Sequence, residues 1–326
     1  MLNTITTPHI SIAPMLDCTD RHDRYFLRLI APDIKLYTEM ITTQAIMHGD
    51  AKRFLAFHPA EKYIALQLGG SNPQALAHCA ALAETMGYDE INLNVGCPSA
   101  RVKSGQFGAC LMLKPQLVAD CMAAMQAKVS VPVTLKCRIG VDEEDSYESL
   151  FNFIKRIAET GCQTFIIHAR KAWLNGLSPK QNRTIPPLRY DIVKQIKKDF
   201  PALTIILNGG ITTLKDITTH LPDVDGVMIG RAAYANPYLL AEIEAHYFPE
   251  RKILSRLDVI EKLIPYIRDE THNQVRLSSI TRHILGLFQG QRGAANWRRY
   301  LSEHAHKPGA NVEVVKQALA LVINQS

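Results

Sequence analysis

Short apolar runs rich in β-branched residues recur along the chain up to about residue 230, and amphipathic stretches separate most of them. The runs are His9–Ala13, Lys35–Thr38, Tyr63–Leu68, Glu90–Val95, Pro132–Cys137, Gln163–His168, Leu203–Leu207 and Gly226–Ile229. Runs of this length, bounded by turn residues, predict buried strands. Between them the apolar positions take a helical spacing over Arg21–Ile30, Pro73–Met86, Lys114–Lys128, Ser146–Thr160, Leu188–Asp199 and Leu214–Leu221, and Thr42–Ala56 has room for one or two short helices. Capping residues agree: Asn72 precedes Pro73, and Gly87 and Gly161 follow two of the helical stretches.

Strands that alternate with helices form a parallel sheet, and eight repeats predict a closed (β/α)8 TIM barrel. An open doubly wound sheet is the alternative. It would carry a G-x-G-x-x-G turn after its first strand, where this chain has Pro14-Met15-Leu16. Beyond Ile243 only helical patterns remain: Ser255–Glu270, Arg276–Phe288, Gly293–His304 and Val312–Ile323. The expected organisation is therefore a barrel domain over residues 1–243, a boundary around His246–Glu250, and a small all-α helical domain over 244–326.

Composition narrows the class. Of 326 residues, 47% are apolar and 21% charged, as in ordinary globular proteins. No apolar run reaches the roughly 18 residues that span a bilayer. The segment Met1-Leu2-Asn3-Thr4 lacks the regions of a signal peptide. The seven cysteines form no C-x-x-C pair, and their odd number suits reduced thiols in a cytoplasm. Zinc-type ligand spacings are missing, so no metal is expected. The net charge of +6 is uneven: from Ala245 to Ser326 there are 12 Lys/Arg against 7 Asp/Glu, a balance of +5. Thr271 to Ser302 holds Arg276, Arg282, Arg292, Arg298 and Arg299 with no acid, and Trp297 and Tyr300 interleave with them. Basic and aromatic side chains together suit a folded RNA better than a membrane surface. A solvated basic helix face is the plainer alternative.

In a barrel, functional side chains collect where strands end. Here those ends read Ala13-Pro14-Met15, Thr38-Glu39, Gln67, Asn94 with Cys97, Lys136 with Arg138, His168 with Arg170, Asn208-Gly209-Gly210 and Gly230-Arg231. After the fourth run, Gly96 and Pro98 make a stiff turn that presents Cys97, with the cations Arg101 and Lys103 just beyond. A cysteine simply packed at a strand end is the competing reading. The last two strand ends have the glycines and the cation of a phosphate site, which a phosphorylated cofactor such as FMN would suit. The loop from Arg170 to Arg189 is long and carries five cations with no acid.

These residues resemble the tRNA-dihydrouridine synthase family, most closely its A class, which acts at uridines 20 and 20a of the D-loop. The matching stretches include Ala13-Pro14-Met15-Leu16-Asp17, Gln67-Leu68-Gly69-Gly70, Asn94-Val95-Gly96-Cys97-Pro98-Ser99, Lys136-Cys137-Arg138-Ile139-Gly140, His168-Ala169-Arg170, Asn208-Gly209-Gly210-Ile211 and Gly230-Arg231-Ala232. Cys18 departs from the aromatic residue expected at that place. The resemblance implies an FMN barrel reduced by NADPH and followed by a tRNA-binding helical domain, with no membrane and no obligatory protein partner. It implies that Pro14, Met15 and Leu16 line the flavin, and that Gln67 and Lys136 hydrogen-bond its ring. By the same resemblance His168 holds the FMN side chain or phosphate, while Asn208, Gly209, Gly210, Gly230 and Arg231 hold the phosphate end. Asn94 would orient the uracil, Cys97 would donate the proton, and Arg183, Asn296 and Arg299 would contact tRNA. Thiols ordinarily titrate near about 8.5, so the acid form predominates at neutral pH, as a proton donor needs.

The residues alone leave three other readings open. They are a flavin barrel that reduces a small free molecule, an RNA-binding barrel without catalysis, and a phosphosugar isomerase or lyase.

Overall fold

The computed structural model describes residues 8–99 and 105–323, so Arg101 and Lys103, like Met1–Thr4, lie outside the described residues. Its strands are β1 (His9–Ile12), β2 (Leu36–Thr42), β3 (Ile64–Gly69), β4 (Glu90–Val95), β5 (Val133–Arg138), β6 (Thr164–His168), β7 (Thr204–Asn208) and β8 (Gly226–Ile229). Its described helices are α1 (Arg21–Ile30), α2 (Thr43–His48), α3 (Ala51–Leu55), α4 (Pro73–Met86), α5 (Pro115–Gln126), α6 (Tyr147–Ala158), α7 (Tyr190–Asp199), α8 (Leu214–His220), α9 (Arg231–Ala235), α10 (Leu239–Tyr247), α11 (Arg256–His272), α12 (Leu277–Ile284), α13 (Ala294–His304) and α14 (Val312–Ile323).

The strands pair in parallel, in the order β1-β8-β7-β6-β5-β4-β3-β2. The two end strands meet through a bridge between Ser11 and Lys35, where Ile12 N donates to Lys35 O at 2.9 Å and Lys35 N to Ile10 O at 3.1 Å. The sheet thus closes into a (β/α)8 TIM barrel. Closure buries both faces of each strand, which is why the runs are almost continuously apolar. Leu66, Leu93 and Leu135 are fully buried, each such side chain contributing roughly 1.5–3 kcal/mol. Tyr37, Ala65, Ile166, Ile206 and Met228 pack together as a separate inner cluster with Ala13.

One buried carboxylate ties three strands inside the barrel. Glu90 accepts from Lys35 Nζ at 2.6 Å, from Tyr37 Oη at 2.6 Å and from Thr134 Oγ1 at 2.7 Å. The paired cation and two hydroxyls offset the cost of taking that charge out of water. Local signals end the helices as the sequence predicts. Asn72 accepts from Ala75 N at 2.8 Å, Pro73 takes the first helical position, and Gly87 closes α4 at φ +95°.

Packing divides the chain into two compact units, and the division is not a single cut at residue 243. One unit holds the β1 segment up to Leu16, Lys35–Ile211 and Lys215–Gly230. The other holds Asp17–Ile34, Thr212–Leu214 and the chain from Arg231 onward. In this second unit α1 sits among the C-terminal helices. Arg21 pairs with Glu270 of α11, Tyr25 stacks on Tyr266 at 3.9 Å, and Asp20 meets His283 of α12 at 3.1 Å. Glu244 of α10 accepts from the backbone N–H groups of Asp33 and Ile34 at 2.8 and 3.1 Å. Among the described residues no helix is long and apolar enough to cross a membrane.

Candidate active site

Register brings the strand-end residues into a ring. Asn94 lies opposite Lys136, Arg138 opposite His168, and His168 opposite Asn208. Alternation along a strand explains why Lys136 and Arg138 share a face, as do Asn92 and Asn94.

Around this ring the amides form a ladder. Gln67 Nε2 donates to Asn92 Oδ1 at 2.8 Å, Asn92 Nδ2 donates to Thr134 Oγ1 at 2.8 Å, and Asn94 Nδ2 donates to Gln67 Oε1 at 2.8 Å. Asn94 Oδ1 accepts from Gly96 N at 3.1 Å and from Cys97 N at 3.0 Å. This Asx turn lifts the chain out of β4 and sets the half-buried Cys97 on a defined backbone. The thiol lies 3.6 Å from Ser99 Oγ. The second N–H of the Asn94 amide is left over from this set and can meet a ligand.

Across the ring Lys136 Nζ donates to Asn208 Oδ1 at 3.0 Å, and Asn208 Nδ2 donates to Met228 O at 2.8 Å. Burial, and after it the Arg138 cation, pushes the Lys136 ammonium down to about 8. Gly209 and Gly210 follow at φ +106° and +75°, a region other residues rarely adopt. Close neighbours reinforce the need for glycine: a Cβ on Gly209 would sit 2.9 Å from His168 Nε2, and one on Gly210 2.6 Å from Leu188 Cδ1. Tyr190 Oη holds Gly209 O at 2.9 Å. Gly230 is different, because among the described residues a Cβ there would meet Ala13 and Met15 at 3.8 Å, ordinary contact distance. Met15 is half-buried and Leu16 is 66% exposed, an apolar lip beside Pro14.

The remaining candidates are spread more widely. Arg231 is exposed at the first position of α9, in the second unit. Arg183 is exposed at the end of a 3-10 turn in the β6 loop. Arg299 is exposed on α13 and reaches Asn296 Oδ1 at 3.4 Å. Sequence reasoning gives no role to Asn92 or Asn182. Asn92 carries a weak signal, two residues before Asn94 on the same strand face, whereas Asn182 is one polar residue in a polar loop.

A closed parallel barrel with amide, imidazole, ammonium and thiol groups on its carboxyl-end ring is a barrel enzyme. The dihydrouridine synthase (Dus) family model matches residues 11–323, and the chain belongs to that family. It is 59% identical over 315 residues to a tRNA-dihydrouridine(20/20a) synthase of Vibrio cholerae, covering 96% of each chain. It is 60% identical over 311 residues to a protein so named in Shewanella oneidensis, covering 94% of this chain and 92% of that one. The Synechocystis protein of that name is 56% identical over 311 residues, with 95% and 93% covered. Two solved structures share the fold alone. A 2-naphthoyl-CoA reductase complex has TM-score 0.56 and 11% identity over 72% of this chain and 49% of that one. A morphinone reductase in complex with tetrahydroNAD has TM-score 0.51 and 12% identity over 76% and 88%.

Proposed function

We propose that this protein reduces the C5–C6 double bond of uridines 20 and 20a in the tRNA D-loop, giving dihydrouridine. The observation that carries the reading is the Asn94 turn, which holds the backbone N–H groups of Gly96 and Cys97 just after β4, where Asn94 lies opposite Lys136 of β5. Family membership and relatives of that name support it.

The ring fits a flavin. Its donors suit a polar isoalloxazine edge, Met15 and Pro14 offer an apolar wall, and the open side of Gly230 leaves room for a phosphate. FMN is the form this fits, and NADPH is the reductant that suits the family. When bound, the flavin supplies the hydride for C6, which no side chain can. Gln67 and Lys136 would hold the ring, and an anionic ring would favour the charged form of Lys136. His168, Asn208, Gly209 and Gly210 hold the ribityl-phosphate end, together with Gly230 and Arg231. Asn94 orients the uracil by its remaining N–H. Cys97 donates a proton to C5, which balances the hydride at C6 and leaves a thiolate that solvent reprotonates. The uridine must leave its stack to reach a barrel mouth, at a cost of a few kcal/mol. Arg183, Asn296 and Arg299 would grip the tRNA backbone. The cytoplasm is the compartment proposed for this reaction.

The test is to map dihydrouridine in tRNA from cells lacking this protein. Loss at positions 20 and 20a, restored by the wild-type gene, is the expected result. Unchanged dihydrouridine at both would overturn the assignment. A yellow protein that reduces free uridine but not tRNA would favour a small-molecule reductase.

A further inference from the structure

Arg138 is a buried charge to which the chemistry above gives no role. Arg138 closes β5 two residues beyond Lys136, and only 3% of it is exposed. Its Nε donates to Gly96 O at 2.9 Å. One terminal nitrogen donates to Lys171 O and to Asn182 O, each at 3.0 Å. All three acceptors are backbone carbonyls. Burial and the nearby Arg183 and Arg170 cations lower its pKa to about 10, which still leaves it charged at neutral pH. A planar guanidinium can satisfy acceptors in several fixed directions, as the point charge of an ammonium cannot.

Two of those carbonyls sit beside residues with functional roles. Gly96 immediately precedes Cys97, and Asn182 immediately precedes Arg183. One side chain therefore grips the turn that presents the thiol and the loop that presents an exposed cation. Further hydrogen bonds and an ion pair hold the β6 loop. Asn182 is fully buried, accepting from Trp173 N at 2.7 Å and donating to Trp173 O at 2.9 Å. Lys171 Nζ meets Asp145 at 2.8 Å and Asp142 O at 3.0 Å, and Ala172 N donates to Gly140 O at 2.9 Å.

We propose that Arg138 is a positioning residue that ties the Cys97 turn to the basic β6 loop, so that proton delivery to the bound pyrimidine depends on how tRNA seats that loop. This rests on the function proposed above, and it adds a link between substrate grip and acid placement. Misplacing a reacting group by about 1 Å can cost roughly 10²-fold in rate.

The test compares wild type, Arg138→Lys, Cys97→Ala and the double variant, all loaded with flavin. In Arg138→Lys, flavin reduction by NADPH should proceed as in wild type, and reoxidation by tRNA in a single turnover should slow by about 10²-fold. In the Cys97→Ala background the same substitution should add little, because the residue acts through the thiol. In flavin-free protein, alkylation of Cys97 followed by peptide mass spectrometry should change several-fold in rate. Wild-type reoxidation in Arg138→Lys, or its full penalty in the Cys97→Ala background, would overturn the proposal. Should Arg138→Lys not fold, Asn182→Ala keeps the guanidinium and loosens the loop. It should also slow reoxidation and alter Cys97 alkylation, and no change in either would overturn the tie. If wild type itself is not reoxidised by tRNA, the function proposed above fails, while the alkylation rates still decide whether Arg138 holds Cys97.

Discussion

At the scale of single residues, two side chains give the sharpest expectations. Hydride transfer from NADPH to the flavin needs no proton from Cys97. Cys97→Ala should therefore bind flavin and be reduced at a near-normal rate, yet form dihydrouridine about 10²- to 10⁴-fold more slowly, the usual cost of losing a positioned acid. Stopped-flow measurement of the two half-reactions separates these effects, and unchanged reoxidation would return Cys97 to a structural role. Lys136 gives a pH signature. Its pKa falls from 10.5 to about 8 in the fold, with burial as the main cause. Between those values the folded protein has released this proton while the unfolded chain still holds it, so stability rises with pH there. Flavin-free wild type should therefore gain stability relative to Lys136→Met as pH climbs from about 8 toward 10.5. Denaturant titrations across that window check it, and a constant difference would mean that Lys136 is not desolvated.

At the scale of elements, the turns after β7 and β8 matter most. Gly209 and Gly210 follow β7 with a backbone that only glycine adopts easily, and Arg231 opens α9 just after β8. A cation on a phosphate contributes more than a neutral hydrogen bond. Arg231→Ala should fold normally and lose its flavin on dialysis, whereas full retention of the yellow colour would place the phosphate elsewhere. The turn glycines and the Asn72 cap were legible in the sequence because each acts within about four residues. The Arg138 ties were not, since its acceptors lie 42, 33 and 44 residues away along the chain.

At the scale of the whole molecule, charge is the working quantity. The excess of +5 over Ala245–Ser326 and the exposed Arg183 suit a polyanion. Arg299→Ala or Arg183→Ala should weaken tRNA binding and reduce the slope of log K against log salt by up to about one for each phosphate that is no longer neutralised. Flavin content should stay the same. Binding isotherms at several salt concentrations test this, and a wild-type slope would make these arginines plain surface.

The repeat of eight strands, the places where polar residues end them and the basic C-terminal helices could all be read from the chain, because periodicity, capping and composition are local properties. Barrel closure, too, was foreseeable from the count of repeats. Which helices α1 would join was not. Its sequence is that of any barrel helix, and only the partners Glu270, Tyr266 and His283 place it with the C-terminal helices. Asn94 shows the same division. Its position at a strand end was visible, but its bond to Gln67, 27 residues away, required the strands to be paired. Arg138 likewise finds its carbonyl acceptors because the closed barrel brings them near it, and sequence spacing holds no record of that choice.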